Sequence, residues 1–256
     1  MNGFLIVNPR SGSGGPSAEE LTAEAKRVGV EVHALREGED PGDVARASDA
    51  DVLGIAGGDG SLASVAEVAL ERDLPFVCVP FGTRNHFARD LGLDRDDPIG
   101  ALRGFAGSER RIDVGRADDR LFLNNVSLGV YARLVHRRER HRRRREAFAR
   151  VRAWTSLLTR RRPLGITIDG EPVETRIVLV ANNAYALDLP SIGAREHLDE
   201  GELHVYVPGD ERVGERFVVN AAAGRLEAAV DGEPAVLETP IEFRIEPRAL
   251  RVLVPQ

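Results

Sequence analysis

Three short stretches place small and polar residues where phosphate chemistry needs them. The first is Gly57-Gly58-Asp59-Gly60-Ser61. Glycines let main-chain N–H groups approach phosphate oxygens, and a helix N-terminus after the turn adds a favourable field. An acid in that turn is able to hold magnesium or to polarise a hydroxyl. The same residues also make an ordinary tight turn between a strand and a helix. The second stretch is Asn8-Pro9-Arg10-Ser11-Gly12, running on to Gly15. It is not a Walker A sequence, because no Gly-Lys-Ser/Thr closes it. It would hold phosphate mainly through amides, with Ser11 and Arg10 in support; otherwise it is a flexible surface loop. The third is Pro80-Phe81-Gly82-Thr83-Arg84-Asn85-His86-Phe87-Ala88-Arg89. Thr83 and Asn85 offer hydrogen bonds to a nucleotide, or serve only to cap a helix.

Each stretch follows a short apolar run that reads as a strand: Phe4 to Val7, Val52 to Ala56 and Phe76 to Val79. Ser17 and Glu20 have capping-box spacing, which starts a helix running to about Val28. Val30 to Leu35 reads as a second strand. Asp40-Pro41 and Asp97-Pro98 each open a helix with proline at its first position. Ser61 to Glu71 has helical spacing. This alternation predicts an α/β N-terminal domain over 1–110, with a doubly wound, mostly parallel sheet and ligands at the strands' carboxyl ends. The C-terminal tail is a candidate to complete it.

Beyond residue 110 the pattern changes. Ile112 to Val114, Leu121 to Leu123, Ile166 to Ile168 and Val173 to Val180 read as strands, with Asp169-Gly170 as a hairpin turn. Further strands are expected at Leu203 to Val207, Arg216 to Asn220, Leu226 to Val230, Ile241 to Ile245 and Leu250 to Val254. These predict a C-terminal antiparallel β-sandwich domain over 111–256. An Arg-rich helical insertion at about 130–162 interrupts it, with Phe148, Val151, Trp154 and Leu158 on one helix face.

The chain has 256 residues and a net charge of −6. That charge is uneven: Arg133 to Arg162 holds thirteen arginines against Glu139 and Glu146, a net +11, so the remainder carries −17. Such a segment suits an anionic membrane surface, or is simply a solvated face. Few aromatic platforms lie near it, which argues against nucleic acid. No apolar run is long enough to span a membrane, and the N-terminus lacks a signal-peptide pattern. The single cysteine, Cys78, sits in an apolar run and suits a reducing cytoplasm.

Taken together, the three loops resemble the landmarks of the soluble diacylglycerol kinases and related lipid kinases, in the same order. The likeness continues through Ile112-Asp113-Val114-Gly115, Phe122 to Gly129, Leu198-Asp199-Glu200-Gly201-Glu202-Leu203, Asp231-Gly232-Glu233 and Pro247 to Pro255. It implies ATP in a cleft between the two domains, surrounded by Asn8, Pro9, Arg10, Ser11, Gly12, by Gly57, Gly58, Asp59, Gly60, Ser61, and by Thr83 and Asn85. It implies Glu233 as the base that takes a lipid hydroxyl proton. Asp59 and Asp113 would organise magnesium and water near the phosphates. Glu200, with carbonyls near His197 and Glu202, would form a structural Mg2+ site. The implied acceptor is a lipid alcohol, diacylglycerol-like by default, met by a cytoplasmic protein peripheral at the membrane surface.

The sequence departs from that pattern at three places. His86 stands where the family has Asp, Ser61 replaces Thr, and Ala186-Leu187-Asp188 lies where a glycine-rich stretch is common. Two other readings therefore stand beside lipid phosphorylation: a nucleotide- or lipid-binding protein with weak or no catalysis, and a kinase of a polar acceptor such as NAD.

Overall fold

The computed structural model describes residues 2–12, 15–129, 163–186 and 193–256. The expectations for the Arg-rich segment and its helix face, and for Leu187-Asp188, fall outside these residues. The chain divides into two compact units. The first comprises Met1–Val114, Asn183–Gly201 and Glu246–Gln256; the second comprises Gly115–Asn182 and Glu202–Ile245.

The first unit opens β1 (Gly3–Val7), α1 (Ala18–Arg27), β2 (Glu31–Ala34), α2 (Pro41–Arg46), β3 (Val52–Gly57), α3 (Asp59–Glu71), β4 (Phe76–Pro80), α4 (His86–Asp90) and α5 (Pro98–Ala101). Strands β2, β1, β3 and β4 lie side by side and parallel. Every residue of β1, β3 and β4 is buried, as a parallel sheet covered on both faces requires. The expected starts are present: Ser17 and Glu20 form a reciprocal capping box, Asp40 accepts from Gly42 and Asp43 N–H, and Asp97 accepts from Gly100 N–H. Helix α3 begins at Asp59, two residues before the start expected at Ser61.

Strand β5 (Ser108–Ala117) carries the chain into the second unit. There follow β6 (Arg120–Phe122), β7 (Asn125–Gly129), β8 (Ile166–Ile168), β9 (Glu171–Val173), β10 (Ile177–Asn182), β11 (Leu203–Val207), β12 (Asp210–Gly214), β13 (Arg216–Ala221), β14 (Arg225–Val230), β15 (Glu233–Glu238) and β16 (Ile241–Val254). Six of them form an antiparallel sheet in the order β12-β11-β10-β7-β14-β15. Against it pack β8, β13 and the first part of β16, antiparallel in their turn. One core joins the two layers: Val126, Leu128, Val180 and Val205 from the first, Ile168, Phe217, Val219 and Phe243 from the second. This is the expected sandwich.

Two strand expectations need correction. The run Val173 to Val180 is divided: β9 ends at Val173, after the Asp169-Gly170 hairpin, and β10 starts at Ile177. The break falls where Thr175 turns its hydroxyl to the Ile177 carbonyl. Conversely, Ile241 to Ile245 and Leu250 to Val254 are one strand of 14 residues. Pro247 and Arg248, the latter at φ 51°, interrupt its regularity without ending it. The Arg248 N–H is donated to Asp113 Oδ1 at 2.7 Å, so the irregular amide keeps a partner.

Candidate active site

The three loops leave the carboxyl ends of β1, β3 and β4, all within the first unit. Loop one is joined to β3 by Asn8 N–H donating to the Ala56 carbonyl at 2.9 Å. Its turn closes through Ser11 N–H to the Asn8 carbonyl, with the Asn8 side chain accepting from Arg10 N–H. A Cβ on Gly12 would lie 2.7 Å from the Phe81 ring of loop three, so any larger residue there would have to displace that ring. The other close approach is main chain on main chain: a Cβ on Gly82 would stand 2.5 Å from Gly58 Cα. Two glycines in separate loops thus let the main chains of loops two and three touch.

Helix α3 starts at this contact. Its N-cap is Gly58, which supplies no side-chain cap. Ser61 N–H donates to the Gly58 carbonyl at 3.0 Å, which leaves the amides of Asp59 and Gly60 as the candidates for an anion. Ser61 turns its hydroxyl to the Gly58 carbonyl at 2.9 Å, which steadies the turn.

Asp59 is the first residue of α3, and its carboxylate accepts from His86 N–H at 3.2 Å and Phe87 N–H at 3.1 Å. It thereby caps α4, whose own N-cap residue, Asn85, makes no side-chain cap. Asn85 is buried, at φ 49°, and its amide closes loop three on itself: Gly82 N–H donates to Oδ1 and Nδ2 donates to the Gly82 carbonyl. Of the two loop-three candidates, Asn85 shapes the loop while Thr83 is exposed above it.

His86 keeps an exposed rim, yet the protein packed around the ring lowers its pKa below the usual histidine value. Asp59 opposes that shift, while Arg89 and Arg84 reinforce it. At neutral pH the ring is uncharged, so it adds no positive charge beside Asp59. The unfolded chain binds this proton more readily than the folded one. The stability contribution is therefore full above about pH 6.5 and is lost as pH falls through the lower folded value. Between about pH 7 and pH 5 the Tm of the wild type should fall more steeply than that of His86→Gln. Equal slopes would contradict this environment for His86.

The candidates for metal fall into two groups. Asp113, on β5, is buried and accepts from Gly201 N–H and Arg248 N–H, each at 2.7 Å, while its own N–H donates to the Leu198 carbonyl. It joins β5 to the segment that carries Glu200. Glu200 is exposed, accepts from Ala184 N–H, and donates its own N–H to Asn183 Oδ1. His197 is exposed in the same segment, and Glu202 is exposed just before β11. Among the described residues no group of three His, Cys, Asp or Glu side chains is gathered for a metal. The implied donor set relies on main-chain carbonyls beside one carboxylate, and such hard oxygens suit magnesium.

In the second unit, Asp231 and Gly232, both at positive φ, form the turn between β14 and β15, and Glu233 opens β15 exposed. Asp231 is buried, and its carboxylate accepts from Leu123, Asn124 and Asn125 N–H at 2.7, 2.7 and 3.1 Å. It therefore fixes the turn from which Glu233 emerges. In the sequence Asp231 reads only as part of a motif, because its three partners lie more than a hundred residues away.

Residues 2–117 match the family described as the diacylglycerol kinase catalytic domain. A Mycobacterium tuberculosis diacylglycerol kinase is 30% identical over 183 residues, which cover 64% of this chain and 58% of that protein. A Bacillus subtilis diacylglycerol kinase is 33% identical over 89 residues, 34% of this chain and 29% of the relative. The crystal structure of a diacylglycerol kinase from Bacillus anthracis str. Sterne superposes with a TM-score of 0.71 at 21% identity, covering 99% of this chain and 96% of that one. These matches support the diacylglycerol kinase and lipid kinase family for residues 2–117, and the chain shares the fold of the Bacillus anthracis structure.

Proposed function

We propose that this protein is an ATP-dependent lipid kinase, which moves the γ-phosphate of ATP to the hydroxyl of a diacylglycerol-like acceptor. The observation that carries the proposal is the close approach of Gly58 and Gly82 above the uncapped start of α3, with Asp59 held at its first position. Open amides beside a fixed carboxylate suit a polyphosphate and its counter-ion.

The roles follow from the chemistry. The first-turn amides of α3 and the Asn8–Gly12 loop, with Arg10 and Ser11, would hold phosphate oxygens, and Thr83 would meet the nucleotide. Asp59 would face the transferring group, with Asp113 holding the framework behind it; Glu200 and carbonyls near His197 and Glu202 would hold a second, structural cation. Magnesium, when bound, neutralises charge on the phosphates. Glu233 would take the acceptor's proton as the hydroxyl oxygen bonds to the γ-phosphorus; the bond to the bridging oxygen breaks and ADP leaves. The +11 segment Arg133 to Arg162 supports an anionic membrane as the place where the acceptor is met. Among the described residues no helix is long and apolar enough to cross a membrane.

A second reading, binding with little catalysis, draws on one observation: beside Asp59 stands an uncharged imidazole instead of another carboxylate. Glu233→Gln tests the choice. With Glu233 as base, kcat should fall about a hundredfold while nucleotide affinity stays within about twofold. Equal loss of both would assign Glu233 to binding, and no loss of either would remove it from the reaction.

A further inference from the structure

Helix α4 is too short to stand alone, yet it carries the amides that hold Asp59. Its far end is anchored in an unusual way. Asp90, the last residue of α4, has a side chain only 1% exposed and is paired with Arg195, whose side chain is 0% exposed, at 2.8 Å from Nε to Oδ2. The other carboxylate oxygen takes Arg89, which also donates to the Gly193 carbonyl. Two arginines thus tie the end of α4 to the segment starting at Gly193. Arg195 lies two residues before His197 and five before Glu200 in that segment. All of these residues belong to the first unit.

A buried ion pair is a poor source of net stability, because desolvation opposes the attraction; its use is to fix an arrangement. Here the arrangement is a chain of contacts. Arg195 holds Asp90 at one end of α4. At the other end His86 and Phe87 N–H hold both oxygens of Asp59. A displaced α4 would leave Asp59 without the partners that orient it.

We infer that the buried Asp90–Arg195 pair is a positioning device that sets α4 and, through it, the carboxylate of Asp59. Its consequence for nucleotide binding rests on the function proposed above; its consequence for α4 does not. Removing one partner alone would leave a buried charge uncompensated and endanger the fold. The informative variant is therefore Asp90→Leu/Arg195→Met, which replaces both charges with apolar groups. Hydrogen exchange at the His86 and Phe87 amides, the Tm, and affinity for a non-hydrolysable ATP analogue with magnesium are measured together.

The double variant should keep its Tm within a few degrees while His86 and Phe87 exchange about tenfold faster than in the wild type. Analogue affinity should weaken about tenfold. Wild-type exchange at those two amides would overturn the inference and leave the pair a purely structural contact. Faster exchange with no analogue binding even by the wild type would uphold the coupling and sink the nucleotide reading instead. Should the double variant not fold, Asp90→Asn/Arg195→Gln, which removes both charges while keeping polar groups of similar size, carries the same exchange comparison.

Discussion

Asp59→Ala should lower kcat for phosphoryl transfer about a thousandfold, the scale seen when a preorganised electrostatic group is removed from a transition state. Two properties of Asp59 place it above its neighbours. It occupies the first position of α3, where the helix field favours its negative charge. Its carboxylate is also oriented by two main-chain donors on α4, so it needs little reorganisation when a nucleotide arrives. The same bonds mean that the substitution loosens α4, at a stability cost of about 1–2 kcal/mol. Thermal unfolding of the variant, run beside the kinetics, separates the two effects. A variant with a normal Tm and undiminished turnover would remove Asp59 from the chemistry.

Asp231→Ala should be the most damaging substitution in the second unit. Three amides, of Leu123, Asn124 and Asn125, lose their acceptor together. Unsatisfied buried donors cost about 1–3 kcal/mol each. Alanine also tolerates φ 48° less well than aspartate, which adds about 1 kcal/mol. Some relaxation and water entry will offset part of this, and the expected loss is about 3–5 kcal/mol, read from the urea midpoint. Asp231→Asn keeps one acceptor oxygen and tolerates the left-handed backbone, so it should lose about half as much. A loss below about 1 kcal/mol for the alanine variant would show that the carboxylate is not what holds this turn.

These two aspartates mark the difference between what the sequence discloses and what it does not. Asp59 is legible because its setting is local: a continuous apolar strand, two glycines and a helical pattern adjoin it. The same locality made the capping box at Ser17, the Asp-Pro starts of α2 and α5 and the Asp169-Gly170 hairpin readable. Asp231 looks like any turn residue, since its partners are set by tertiary pairing. Strand β12, with the sequence Asp-Glu-Arg-Val-Gly, is a polar edge strand without clean alternation, and β15 buries only one of its six residues, so neither announces itself. Helix α4 spans five residues, less than two turns, and its ends are bonded to Asp59 and Arg195. Nothing near Asp90 predicts a partner 105 residues on.

The candidate site divides along the same line. The residue types of all three loops are visible in sequence, as is their order. That Asn85 closes its own loop, and that Gly58 and Gly82 meet, depends on how β3 and β4 set their loops side by side. His86 is visible as a departure from the family pattern, but its charge state follows from the protein packed around it and from Arg89 and Arg84.

The most direct measurement is magnesium-dependent transfer of labelled phosphate from the γ position of ATP to a mixed lipid extract in detergent micelles. Wild type and Asp59→Ala are compared, with NAD as a polar acceptor in a parallel reaction. Lipid phosphorylation by this protein predicts a labelled lipid with the wild type, none above background with the variant, and no labelled NAD. Labelled NAD without labelled lipid, or ATP binding with no transfer to either acceptor, would contradict it.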